Sequence, residues 1–131
     1  SQMMLVDAMA IIIDGQQRIT TVSLLLLAIR NYIIEHPDLD TGVNPRKITD
    51  AYLTDVYANS EKKLKLKLIQ GDDEAYDRLI ENGTPIANNN ITANYNYFFK
   101  EISKRNALEI KGLYDALTIN YNMLIASTNI I

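Results

Sequence analysis

The residues best suited to chemistry lie in one run, Asp14-Gly15-Gln16-Gln17-Arg18-Ile19-Thr20-Thr21, directly after three consecutive isoleucines, Ile11 to Ile13. A β-branched apolar stretch, a glycine turn and the start of an apolar helix together aim backbone N–H groups at whatever occupies the turn. The positive end of the helix dipole favours an anion there. Arg18 carries a planar fork of donors that matches phosphate oxygens. Gln16 and Gln17 add amide donors, and the Thr20 and Thr21 hydroxyls can reach a phosphate or a phosphate-bound metal. Asp14 is the one carboxylate of the run, suited to holding Mg²⁺ or to orienting a water. In chemical terms the run has the donors a phosphate cradle needs. The same residues also make an ordinary structural turn, since Asp-Gly is a common turn pair, Asp a common N-cap, and Gln, Arg and Thr frequent in first helical turns. It is not a Walker loop, having neither that loop's glycine spacing nor its Gly-Lys-Ser/Thr ending.

Other chemistry-bearing residues have simpler readings. His36 precedes Pro37 at an expected helix end and has no catalytic partner nearby in sequence, so it reads as a helix-terminal surface residue. Lys62, Lys63, Lys65 and Lys67 could touch a nucleic-acid backbone, although lysines on the wet face of a strand usually protect a sheet edge. Tyr95, Tyr97, Phe98 and Phe99 fall at helical spacing and read as core in preference to base-stacking platforms. Asp72, Asp73 and Glu74 fit negative charge at a helix N-terminus better than a metal site.

Several elements must position the run. Leu5-Val6 and Ile11 to Ile13 predict two short strands or one bent strand, turning at Asp14-Gly15. From Ile19 the apolar residues Ile19, Val22, Leu25, Leu26, Ile29 and Ile33 recur at three- and four-residue steps, and Leu24, Leu27 and Ile34 fill the other faces. That pattern predicts a helix buried nearly all round and ending before Pro37. A loop follows over 38–46, then a segment from Asp50 to Tyr57 that suits either a short helix or a strand. Lys63 to Leu68 alternates strictly and predicts a strand. Glu74 to Glu81, about Thr92 to Arg105 and about Ala107 to Leu117 read as helices, with a polar loop over Thr84 to Asn90. Asn120 to Ile131 reads as strand-like again. The expected fold class is α+β, a predominantly helical fragment with a few short strands. Residues 1–36 form the strand-turn-helix segment, and 46–131 hold the Lys/Leu strand and the helical remainder. Apolar, strand-like sequence at both ends suggests a single incomplete domain.

Bulk properties narrow the function. The chain has 131 residues, 47% hydrophobic and 22% charged, with a formal net charge of −3. That is globular composition with no global field drawing it to DNA or to an anionic membrane. Without cysteine, disulfides and thiolate metal sites are excluded, and one histidine leaves no imidazole cluster. Ile19 to Ile34 is interrupted by polar residues and falls short of the ~20 apolar residues that span a bilayer. No membrane partner is expected, and a cytoplasmic location fits.

Ile12-Ile13-Asp14-Gly15-Gln16-Gln17-Arg18-Ile19-Thr20-Thr21, followed by a leucine-rich helix, closely resembles the signature of the GmrS-like, or DGQQR-motif, family. Lys63 to Leu68 with Asp72 to Tyr76 and Leu79-Ile80 resembles that family's basic strand and following helix, and Asn94 to Phe99 its later aromatic helix. The likeness covers most of the chain, and the five motif residues are its diagnostic part. The resemblance implies a ParB/sulfiredoxin-like N-terminal domain of a bacterial, modification-dependent restriction or anti-phage protein. It implies that Asp14, Gln16, Gln17 and Arg18 bind and hydrolyse a nucleoside triphosphate, and that turnover regulates cleavage of modified or foreign DNA. Gly15, Arg18, Thr20 and Thr21 would then hold the nucleotide, with Asp14 on Mg²⁺. The partners implied are DNA, reached through the parent protein or Lys63, Lys65 and Lys67, and an HNH nuclease domain or subunit. Two departures stand out: the family's Gln-Arg-x-Tyr-type upstream stretch has no match here, and a single histidine excludes an HNH centre in this chain. The competing expectation is a non-catalytic scaffold that docks DNA or a partner domain.

Overall fold

A computed structural model describes residues 15–53, 72–81 and 85–129, with the side chains of residues 15–19, 72–73 and 124–129 outside the description. The first helix, α1, runs Gly15–Glu35. A short helix, α2 (Pro45–Ile48), continues into a π-helical turn at Thr49–Leu53. Then come α3 (Asp72–Ile80), α4 (Asn90–Ser103) and α5 (Ala107–Asn129).

Helix α1 is the axis of the fold. Leu24 to Ile29 are six consecutive residues of which none is more than 1% exposed, so the helix is enclosed on every side. It packs against α4, α5, α2 and the π turn, while α3 lies against α4. The surrounding elements contribute Ile48, Leu53, Tyr76, Ile91, Phe98, Ile102, Ile110, Leu113 and Leu117 to the same core. Each fully buried leucine or isoleucine contributes on the order of 1.5–3 kcal/mol relative to its exposed state.

The connections are set by local chemistry. Asn88 adopts a left-handed φ of 57°, a conformation asparagine tolerates better than most residues. Asn89 then caps α4, its Oδ1 accepting from the Ile91 N–H at 2.8 Å and the Thr92 N–H at 3.4 Å. Between α4 and α5 a reciprocal capping box forms: the Glu109 N–H donates to Asn106 Oδ1 at 2.8 Å, and the Asn106 N–H donates to Glu109 Oε1 at 3.1 Å. Asn44 caps α2 in the same way, with Pro45 at its first position.

The described residues contain helices and no strand, which corrects the α+β, ParB/sulfiredoxin-like expectation. The expected strands at Leu5-Val6, Ile11 to Ile13 and Lys63 to Leu68 lie outside the described residues. Residues from Asn120 onward were expected to be strand-like, but α5 continues to Asn129. The burial of Ile110, Leu113, Leu117 and Tyr121 keeps a helical step past Leu117, and packing against the core overrides the β preference of the isoleucines and threonines there. The segment from Asp50, ambiguous in the sequence, is a π turn through Leu53. Helix α1 begins at Gly15, so Gly15 opens the helix and Gln16, Gln17 and Arg18 complete its first turn.

Candidate functional site

Helix α1 has two ends of different character. At its start, the backbone N–H groups of Gly15, Gln16 and Gln17 fall among the first donors of an α-helix, which have no intrahelical acceptor. Asp14 and the side chains of Gln16, Gln17 and Arg18 lie outside the described residues. The two threonines diverge, as neighbours on a helix must. Thr21 is buried at 8% exposure, turned towards the core, while Thr20 sits half-buried at its margin. Among the described residues no group of three or more histidines or carboxylates could hold a metal ion.

At the other end, Arg30 and Asn31 are each 4% exposed in a helix otherwise enclosed by apolar side chains. Arg30 Nε and Nη2 both donate to Asn31 Oδ1, at 3.0 and 2.8 Å. Arg30 Nη1 donates to Thr49 Oγ1 at 3.0 Å, and Nη2 also donates to the Ile80 carbonyl. Asn31 Nδ2 donates to the Leu79 carbonyl at 3.3 Å and to the Tyr95 hydroxyl at 2.8 Å. Leu79 and Ile80 are the last residues of α3, whose terminal carbonyls have no partner within their own helix. Arg30 and Asn31 therefore cap α3 from outside, and the negative end of its dipole faces the guanidinium. This accounts for a buried cation whose direct partners are all neutral. Burial pulls the Arg30 guanidinium below its ordinary value, against the pull of the nearby Tyr95 and Tyr76 phenols.

Beside this network lies a cleft of about 470 Å³. Its polar lining is Asn31, Glu35, Tyr95, Asn96 and Lys100, and its apolar lining is Ile34, Leu79, Pro85 and Phe99. Phe99 is steadied by the Tyr32 ring at 5.6 Å and the Tyr95 ring at 5.9 Å between centroids. Burial pushes the Tyr95 phenol up, the Asn31 hydrogen bond opposes this, and the Glu35 carboxylate adds to the rise. The phenol is therefore a neutral donor whose oxygen is already engaged by Asn31.

Read from sequence alone, Arg30 and Asn31 only interrupt an apolar stretch. The available signal was their position: two polar residues in a helix apolar on every face must be buried, and buried polar groups need partners. Glu35 and Lys100 carried no pattern, because the cleft is assembled from residues 31 to 100. The expected aromatic stripe divides: Tyr95 and Phe98 are core, Phe99 lines the cleft, and Tyr97 is 54% exposed. His36 closes α1 as expected, stacked on Tyr32 at 4.0 Å with Nδ1 2.8 Å from the Tyr32 carbonyl oxygen. Lys63, Lys65 and Lys67 lie outside the described residues. Among the described residues no helix is long and apolar enough to cross a membrane.

Taken together, the described part is a helical domain built round one apolar helix, whose first turn holds Gly15 to Arg18 of the Asp-Gly-Gln-Gln-Arg run. The family described as the GmrSD restriction endonuclease N-terminal domain matches residues 3–130, and the chain belongs to that family. It is thus a member of a restriction, or defence, protein family. No curated protein and no solved structure matches the chain.

Proposed function

We propose that the chain binds a nucleoside triphosphate at Asp14 to Arg18 and supports its hydrolysis, with turnover regulating DNA cleavage by a nuclease such as an HNH domain of the parent restriction protein. The observation that carries this reading is the start of α1 at Gly15, which leaves the first-turn N–H groups without helical acceptors within the DGQQR run. Phosphate suits that donor set: backbone amides, the Arg18 fork and the Gln16 and Gln17 amides are all donors, and the single carboxylate, Asp14, is left for a cation or a water. In this reading Arg18 and the amides bind phosphate, Gln16 and Gln17 position the terminal phosphoryl group, and Thr20, half-buried one turn further along, is a further candidate contact. Mg²⁺, when bound, would neutralise charge on the transferring phosphoryl group, with Asp14 as its protein ligand.

Thermal melting of the chain and of Arg18→Ala across ATP, GTP, CTP and UTP, with and without Mg²⁺, tests this. A ligand at ~100 times its dissociation constant adds about 2.7 kcal/mol of stability. A nucleotide-specific shift that is lost in the variant is expected. Full NTPase activity of the parent protein carrying Arg18→Ala would overturn the assignment, and nucleotide-independent melting of both proteins would favour the scaffold reading.

A further inference from the structure

We propose that the cleft at the far end of α1 is a second ligand site, that it takes a nucleoside monophosphate unit whose base carries an exocyclic amine, and that it does so independently of the DGQQR run.

Distance separates the two sites. Gly15 and Asn31 are sixteen residues apart on one helix, about 24 Å at 1.5 Å per residue, further than one nucleoside triphosphate spans. Size fits as well: about 470 Å³ lies within the usual range for small-molecule sites and exceeds what a lone base fills. The lining is built, not incidental. Asn31 and Tyr95 are 4% and 9% exposed, and Asn31 Nδ2 fixes the Tyr95 oxygen at 2.8 Å. The Tyr95 hydroxyl, which accepts from Asn31, has no acceptor for its own proton among the described residues, so a buried donor belongs to the cleft lining.

The remaining groups define the complement. Phe99 with Ile34 and Leu79 offers apolar surface for a flat ring. The Glu35 carboxylate accepts from an exocyclic amine, the Tyr95 hydroxyl donates to a ring nitrogen or carbonyl, and the Asn96 amide can do either. Lys100, one helical turn after Asn96, supplies a cation for the phosphate. An aromatic amino acid would satisfy Glu35 and Lys100 but would leave Tyr95 and Asn96 unmatched. A base edge uses all four.

Isothermal titration of the chain with AMP, CMP and UMP, with a short single-stranded oligo-dA and with phenylalanine tests the proposal. Saturable binding of AMP or CMP, weaker for UMP, is expected. Glu35→Ala, a change at an exposed position, should weaken it by about ten- to a hundredfold through loss of a charged hydrogen bond. Lys100→Ala should weaken phosphate-bearing ligands and leave adenosine unaffected. Arg18→Ala should leave AMP binding unchanged, which separates failure of this proposal from failure of the triphosphate assignment. Glu35-dependent binding of oligo-dA without binding of AMP identifies the unit as part of a strand, and binding of both identifies a free nucleotide as sufficient. The proposal is overturned if no nucleotide or oligonucleotide saturates, if Glu35→Ala leaves the affinity unchanged, or if phenylalanine binds more tightly than AMP.

Discussion

Two adjoining stretches of α1 meet burial in opposite ways. Leu24 to Ile29 form a dry stretch, enclosed by isoleucine, leucine and aromatic side chains from α2, α4, α5 and the π turn. Arg30 and Asn31, immediately after it, are nearly as buried but polar, and their partners belong to α3, α4 and the π turn. The dry stretch is held by filled volume, which is cumulative and indifferent to direction. The polar stretch is held by a closed set of hydrogen bonds, in which each member depends on its neighbours. The first region contributes buried apolar volume, and the other fixes where α3 and Tyr95 sit relative to α1. The second candidate site belongs to the polar region for that reason.

The sharpest way to break this contrast is to remove volume from the dry stretch. Leu25→Ala at a site with 0% exposure should cost about 2–5 kcal/mol, measured as a fall in the denaturant midpoint at constant m-value. A loss below about 1 kcal/mol would mean that the surrounding helices collapse into the space, and that the dry stretch is less closely packed than its burial implies.

A smaller effect is expected from the polar stretch. Arg30→Met keeps most of the side-chain volume but leaves Asn31 Oδ1, Thr49 Oγ1 and the Ile80 carbonyl short of a donor. The expected loss is about 1–3 kcal/mol. Arg30→Lys should not restore it, because a single ammonium cannot span three acceptors held by a planar fork. Stability of Arg30→Met equal to the wild type would show that the network specifies geometry without contributing stability. In that case an altered Tyr95 environment in the variant would be its remaining signature.

The contrast also explains what could be read in advance. The apolar period of α1 was legible because burial on all faces leaves a dense signature in sequence, and the helix ends near Pro37 as the residue-before-proline rule requires. Helices α3 and α4 were legible from their turn residues and spacing, with boundaries shifted by about two residues. The run from Asn120 was misread because its β-branched composition was weighed above the helical step that Leu117 and Tyr121 continue. The DGQQR run was legible as a local string. The cleft was not, because it joins Asn31, Glu35, Tyr95 and Lys100 across some seventy residues, and no local pattern encodes that closure.

The smallest expected effect concerns a buried polar group with no network at all. Tyr121 is 3% exposed, and its hydroxyl finds no hydrogen-bond partner among the described residues, although its ring meets Tyr52 edge-on at 5.1 Å. Tyr121→Phe keeps the ring and removes only the unmatched hydroxyl, so near neutral pH stability should change by less than about 1 kcal/mol, in either direction. Burial, with a contribution from Tyr52, pushes the Tyr121 phenol up to about 12 from an ordinary value of 10.0. A raised value means that the folded state favours the neutral phenol. The corresponding stability is present in full below about pH 10 and is lost as pH rises towards and through about 12. Tyr121→Phe should therefore flatten the alkaline decline without abolishing it, because Tyr76 is pushed up by burial as well. Equilibrium denaturation from pH 8 to 12 would show this. An unchanged alkaline slope in Tyr121→Phe would mean that the hydroxyl is solvated, and that buried polar groups in this core need no partner network of the kind Arg30 and Asn31 have.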